Sequence, residues 1–182
     1  LSPPAAFAVL GEPGWALLAR SAGTPGAVAR TREEIEALAA GLQIATADVD
    51  GDAWQRWNDA FVPRVLALRI SVQPSAVADA IEALDRRFAG TGAMLSSTVG
   101  AGVIRANLRP EPGHRAATLV AYAEDVASRH AGYAVVEAAS ASYKRDHDVF
   151  GPLRPDFPIM KRLKDEFDPR RTLAPGRFVG RI

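Results

Sequence analysis

A run in the middle of the chain alternates. From Val65 to Val72, Leu66, Leu68, Ile70 and Val72 fall on one side, and Arg69 and Ser71 fall on the other. Successive side chains of a strand leave opposite faces, so this run predicts a strand with one buried and one polar face. The period then lengthens from two to about 3.6 residues. Pro74-Ser75 opens a helix with Val77, Ile81, Leu84 and Phe88 on one stripe, and Gly90 to Gly92 breaks it. Two short strands follow, Met94 to Val99 and Val103 to Leu108, joined across Gly100-Ala101-Gly102, which is a hairpin signal. Pro110 to Gly113 reads as a turn. Ala116, Leu119, Val120, Ala123, Val126, Ala127 and His130 line the next helix, which Gly132 can terminate. Tyr133 to Ala138 is the last strand of the run.

The order is βαββαβ, the ferredoxin-like arrangement of the α+β class, with one antiparallel sheet and both helices on one face. The other face stays open for a ligand, a partner or solvent. Alternation assigns Arg69, Ser71, Ser96, Thr98, Arg105, Asn107, Tyr133 and Glu137 to it. In the usual strand order the Arg69 and Arg105 strands are central neighbours, and the Glu137 strand flanks the first. Two guanidiniums with an amide and hydroxyls around them can hold a carboxylate in bidentate fashion. Arg69, Arg105, Asn107 and Glu137 are therefore the candidate substrate-binding residues. The alternative is a solvated face on which the arginines pair with Glu137.

The first sixty residues read as part of a second copy. Ala5 to Leu10 and Trp15 to Ala22 can pair around Glu12-Pro13-Gly14. A helix follows, capped by Thr24 with Pro25 at its first position and Val28, Ile35, Leu38 and Leu42 inside. Ile44 to Val49 is a short strand, and a connecting helix from Asp52 carries Trp54, Trp57 and Phe61, read as core rather than as a stacking platform. The expected organisation is one domain: a partial half over 1–62, a complete half over 63–140, and a terminal loop, helix and exit over 141–182.

Composition removes several function classes. The formal net charge is +1, without the basic excess that nucleic acid or an anionic membrane demands. The strand from Val103 to Leu108 also lacks the aromatics that stack RNA bases. No cysteine is present, which excludes disulfides, thiolate metal sites and iron–sulfur clusters in this chain. His114, His130 and His147 show no two-ligand spacing, so no metal site is expected. No glycine-rich phosphate loop follows a strand. No apolar run approaches the ~20 residues of a membrane span, and no signal-peptide pattern is visible. A soluble cytoplasmic protein is expected.

The last thirty-odd residues run from Asp148-Val149-Phe150-Gly151-Pro152 through Met160-Lys161-Arg162-Leu163-Lys164 to Phe167-Asp168-Pro169 and Leu173-Ala174-Pro175-Gly176-Arg177-Phe178. Asp156 can cap a helix with Pro158 in its first turn, and Ile159, Met160, Leu163 and Phe167 share one side. Asp168-Pro169 stops it. This segment resembles the carboxyl-terminal signature of FAD-linked oxidases of the vanillyl-alcohol oxidase type, and most closely the FAD-binding subunit of bacterial glycolate oxidases. There a helix ending in Phe-Asp-Pro leads to an Asn-Pro-Gly-Arg-Phe-like exit; here Ala174 replaces the Asn.

The resemblance implies a cap domain of two ferredoxin-like halves whose sheet face covers the flavin ring and substrate. It implies oxidation of a small 2-hydroxy acid such as glycolate, with FAD as cofactor. Pro175, Gly176 and Arg177 are the cofactor-contact candidates by resemblance. The FAD-binding domain would lie upstream, so this segment alone is expected neither to bind FAD nor to be active. Implied partners are that domain and other oxidase subunits, including an iron–sulfur subunit, with peripheral attachment to the inner membrane through them. The rival readings are a free-standing ferredoxin-like binding module and a structural subunit-docking domain.

Overall fold

Leu66, Leu68 and Ile70 are sealed from solvent at 1% exposure or less, whereas Arg69 and Ser71 between them are half-buried. That is the alternation read from the sequence, and it fixes which way the sheet faces. The structure is a computed structural model and describes residues 5–10, 14–49, 51–52, 55, 65–109 and 116–182. Its elements are β1 (Ala5–Leu10), β2 (Ala16–Arg20), α1 (Pro25–Gly41), β3 (Leu66–Ser71), α2 (Val77–Phe88), β4 (Met94–Thr98), β5 (Val103–Leu108), α3 (Ala116–Arg129), β6 (Tyr133–Ala138), α4 (Ala141–Asp146) and α5 (Phe157–Phe167).

The four-stranded sheet is antiparallel, in the order β4-β5-β3-β6. This is the ferredoxin-like order, with β3 at the centre. Leu68, Ile70, Leu95, Ile104, Ala106 and Val136 meet Val77, Ile81, Leu84 and Phe88 of α2 and Leu119, Ala123 and Val126 of α3 in one core. Each fully buried large aliphatic or aromatic side chain contributes about 1.5–3 kcal/mol. The stripe on α2 is cleanly amphipathic: Val77, Ala80, Ile81, Leu84 and Phe88 are buried, and Asp79, Glu82, Arg86 and Arg87 are exposed. A short 3-10 turn over Pro74–Ala76 precedes it.

Two glycines set how closely the connections approach β3. Gly102 takes φ +65 after the β4–β5 turn, and a Cβ there would overlap the carbonyl of Val72. At Gly132 a Cβ would overlap the carbonyl oxygen of Ser71. Gly132 is thus needed for close approach. The left-handed residue that ends α3 is Ala131 (φ 53), and the Gly132 amide donates to the Ala127 carbonyl in a Schellman-type turn.

The amino-terminal part departs from the expected second copy. β1 and β2 form an antiparallel hairpin, and β1 lies against β4. Thr24 caps α1, as expected, through its side chain to the Ala27 amide at 3.4 Å. Ile44 to Val49, however, has no regular structure. Leu38 and Leu42, expected inside, are 69% and 70% exposed, and α1 buries none of its residues. Here the helical pattern specified a helix but not a surface to cover it. Trp54, Trp57, Phe61, the turn from Pro110 to Gly113 and His114 lie outside the described residues.

The terminal helix also differs. Asp156 makes no capping bond; its carboxylate pairs with Arg154 at 3.2 Å instead. Ile159, Leu163 and Phe167 share a side of α5, but they are 61%, 53% and 79% exposed. The stripe faces solvent rather than anchoring the terminus in the core. Phe167→Ala is therefore expected to shift stability by no more than about 0.5 kcal/mol, the range of an exposed site. A denaturation midpoint that drops as for a buried phenylalanine, by about 3–5 kcal/mol, would contradict this placement.

Candidate functional site

Strand register brings the polar face into rows. Ser96 opposes Arg105, Arg105 opposes Arg69, and Arg69 opposes Val135, giving one row across β4, β5, β3 and β6. A second row places Val103, Ser71 and Tyr133 together. Both helices of the unit lie on the opposite side, so Arg69, Arg105 and Glu137 stand on the face turned away from them, as the alternation implied.

That face is less open than the sequence suggested. Ser96 is 1% exposed and Asn107 3% exposed, while Arg69, Ser71, Thr98, Arg105 and Tyr133 are half-buried and Glu137 is exposed. Arg69 Nε meets Glu137 Oε1 at 3.3 Å. Arg105 has no ion-pair or hydrogen-bond partner among the described residues. The hydroxyl of Ser96 is buried without a hydrogen-bond partner among the described residues. Like charges directly opposite on a sheet are unfavourable, and an orphaned buried hydroxyl costs about 1–3 kcal/mol. The two uncompensated groups are cross-strand neighbours.

Tyr133 and Arg154 join this site, and the sequence reading had not selected either as a site residue. The Arg154 guanidinium stands 4.6 Å from the centre of the Tyr133 ring, and that of Arg69 stands 5.9 Å from it. The polar side chains of Ser71, first, and then Arg69 hold the phenol's pKa below the ordinary tyrosine value against the opposing effect of burial; the charges of Arg69 and Arg154 act in the same direction. The alternation had placed Tyr133 on this face. Nothing local in the sequence signals that the loop carrying Arg154 folds back over it.

The fold-back has its own fastenings. The amide of Val136 donates to the Val149 carbonyl at 2.7 Å, which extends the β6 edge. Asp148 accepts from the amides of Phe150 and Gly180, both at 2.9 Å. Arg181 donates to the carbonyls of Lys144, Arg145 and His147 at the end of α4, where a cation suits the helix dipole. The terminal loop expected to open the 141–182 segment thus contains α4, just before His147. Its Tyr143 is buried, and the His147 ring stacks on it at 4.3 Å. Nearby, burial pushes the Glu124 carboxyl up, opposed by the charge of His147.

The Phe-Asp-Pro segment is a knot as well as a helix stop. Asp168, 5% exposed, accepts from Lys164 Nζ at 2.7 Å, from the Thr172 amide at 2.8 Å and hydroxyl at 3.2 Å, and from the Leu173 amide at 3.0 Å. Lys164 also reaches the Leu173 carbonyl at 2.6 Å. The exit that follows, with Pro175, Gly176 and Arg177, is exposed. Arg177 has no ion-pair partner among the described residues.

Ala174 takes φ +44, the left-handed region that asparagine tolerates better than alanine. The Asn of the resembled signature therefore has a backbone reason to stand here, apart from any contact of its side chain. Among the described residues no group of three or more His, Asp or Glu is arranged to hold a metal, and no helix is long and apolar enough to cross a membrane. Searches of protein-family models, curated proteins and solved structures found no match to the chain.

Two measurements check the terminal knot. Ala174→Asn is expected to raise stability by about 0.5–1 kcal/mol by relieving left-handed strain; a lower melting temperature would contradict the assignment. The Lys164 hydrogen bond, followed by the Thr172 and Leu173 donors, holds the Asp168 carboxyl well below its usual range. A depressed carboxylate stabilises above its unfolded pKa, about 4, and that contribution is lost as pH falls through the lower folded value. In an acid titration followed by NMR, the Thr172 and Leu173 amide shifts should hold while exposed carboxylates titrate and move only at lower pH. Movement centred near pH 4 would show that the knot is not formed.

Proposed function

We propose that this chain is the cap domain of an FAD-dependent oxidoreductase that oxidises a small 2-hydroxy acid. The observation that carries the reading is the exposed apolar side of α5, Ile159, Leu163 and Phe167, which leads directly into the Asp168 knot and the exposed exit 174–178. The segment that resembles the oxidase signature is also a shaped surface left uncovered, as a face that packs against a flavin domain would be. The arginine row on the sheet face turned away from α2 and α3 supports the second half of the reading, a place for an anionic substrate.

The described residues fit a contact at the edge of a bound flavin better than a nucleotide site. Arg177 is an unpaired cation on an exposed exit, and no phosphate-cradling loop accompanies it. A bound flavin would supply the acceptor for the hydride, with the hydroxyl proton lost as the carbonyl forms. This chain's own residues orient and shield: Arg105 holds a carboxylate, Glu137 fixes Arg69, and Tyr133 stands on β6 beside the Arg69 strand. The compartment is read as cytoplasmic, with partner subunits including an iron–sulfur protein. A subunit-docking domain without a substrate site is the second reading, favoured by the exposed Leu38 and Leu42 on α1.

The test uses the polypeptide in which this segment occurs, together with the flavin domain expected upstream of Leu1. Purified protein should carry FAD, and anaerobic addition of glycolate or a related 2-hydroxy acid should bleach the flavin's visible absorbance. Arg105→Met should slow the bleaching at least about tenfold, from loss of a charge-assisted bidentate contact, with FAD retained. Flavin-free protein, or flavin that no 2-hydroxy acid reduces, would overturn the reading.

A further inference from the structure

We infer that this sheet face selects a monocarboxylate over a dicarboxylate, and that Glu137 sets the selection. The inference rests on the reading of the face as a 2-hydroxy-acid site and adds the charge class of the ligand. Three arginines belong to this face: Arg69 and Arg105 are opposed on the central strands β3 and β5, and Arg154 stands over the Tyr133 ring on the edge strand β6. Arg69 is met by Glu137 at 3.3 Å and Arg154 by Asp156 at 3.2 Å. Arg105 is met by no carboxylate among the described residues. Arg109, the next arginine along, follows the end of β5 and lies about 13 Å further along the strand direction. Among the described residues, the face therefore offers one positive charge, that of Arg105, with no carboxylate paired to it.

One carboxylate on Arg105 removes the like-charge opposition between Arg105 and Arg69, and a planar guanidinium takes it in bidentate fashion. Among the described residues of the face, a second carboxylate on the same small molecule has no free cation to meet. Arg69 is already engaged, and Glu137 repels a further anion. Glu137 thus acts as a specificity residue: it neutralises the cation that a dicarboxylate would need. Since Ser96 is sealed, its hydroxyl adds nothing to this distinction.

Glycolate and tartronate form a matched pair, because tartronate is glycolate with one carboxylate added at the carbinol carbon. The 182-residue chain is titrated with each at matched ionic strength, and the Arg105 and Arg69 Nε–Hε signals are followed by NMR. Glycolate should shift the Arg105 signal saturably and bind more tightly than tartronate, and Arg105→Met should abolish the saturable response of the neighbouring strand amides. Glu137→Gln should free Arg69 and raise tartronate affinity relative to glycolate about tenfold, the lower end for a hydrogen bond to a charged group. Glu137→Asp, which keeps the charge, should restore the preference for glycolate.

Wild-type preference for tartronate, an unchanged ratio in Glu137→Gln, or absence of any saturable shift at Arg105 would each overturn the inference. No flavin is needed for these measurements. Charge selection by the chain with no flavin in the longer polypeptide would fail the oxidase reading and leave the site. Flavin reduction with no effect of Glu137→Gln would do the reverse.

Discussion

Everything described here depends on one constraint at β3. Its inner side chains, Leu66, Leu68 and Ile70, are closed off from water, and both its edges are taken, by β5 on one side and β6 on the other. A slip of one residue would turn the whole apolar set outward, so the register is tightly held. That register places Arg69 opposite Arg105 and beside the Glu137 strand. The close approaches at Gly102 and Gly132 serve the same end, because they let the turns at both sides pack against the end of β3.

Around this well-determined unit stand elements that are formed but not covered. The helix α1 is capped by Thr24 and laced by ion pairs such as Arg32 to Glu36 at 2.8 Å, yet buries none of its residues. The helix α5 ends in the buried Asp168 knot and presents Ile159, Leu163 and Phe167 to solvent. Exposed apolar stripes of this kind mark contact surfaces. Arg105 and Ser96, without partners among the described residues, are the polar counterpart: local departures from full compensation that collect at working sites. The proposed cap function accounts for both, one as a face toward another domain and the other as a place for an anion.

The βαββαβ unit was legible because its signals agree with one another. Period-two alternation at β3, the Val77–Phe88 stripe and the glycine-marked turn before β5 all require the same sheet. The face turned away from α2 and α3 could be assigned residue by residue for the same reason. Burial by distant chain was not legible, so Ser96 and Asn107 seemed open while Leu38 and Leu42 seemed buried, and the apolar side of α5 gave no sign that Phe167 faces solvent. Helical periodicity gives the side of a helix that is apolar, and only the fold decides whether anything lies against it. The Arg154–Tyr133 contact was hidden for a related reason, since a loop residue's partner is set by where the loop returns. At Ala174 and Asp168 the motif was visible, and its physical role, left-handed backbone and a carboxylate knot, came from the geometry.

Native-state hydrogen exchange tests the central claim, a self-sufficient βαββαβ core bearing uncovered elements. Stability differs among cooperative units of one chain, and amides in the core exchange only through global opening. The account predicts that Leu68, Ile70, Ile104 and Ala106, with the buried turns of α2 and α3, exchange slowest and with one common opening free energy. Amides of α1 and α5 should exchange through openings that leave that core closed. Protection of α1 and α5 equal to that of β3 would place them in the same cooperative unit and contradict the account.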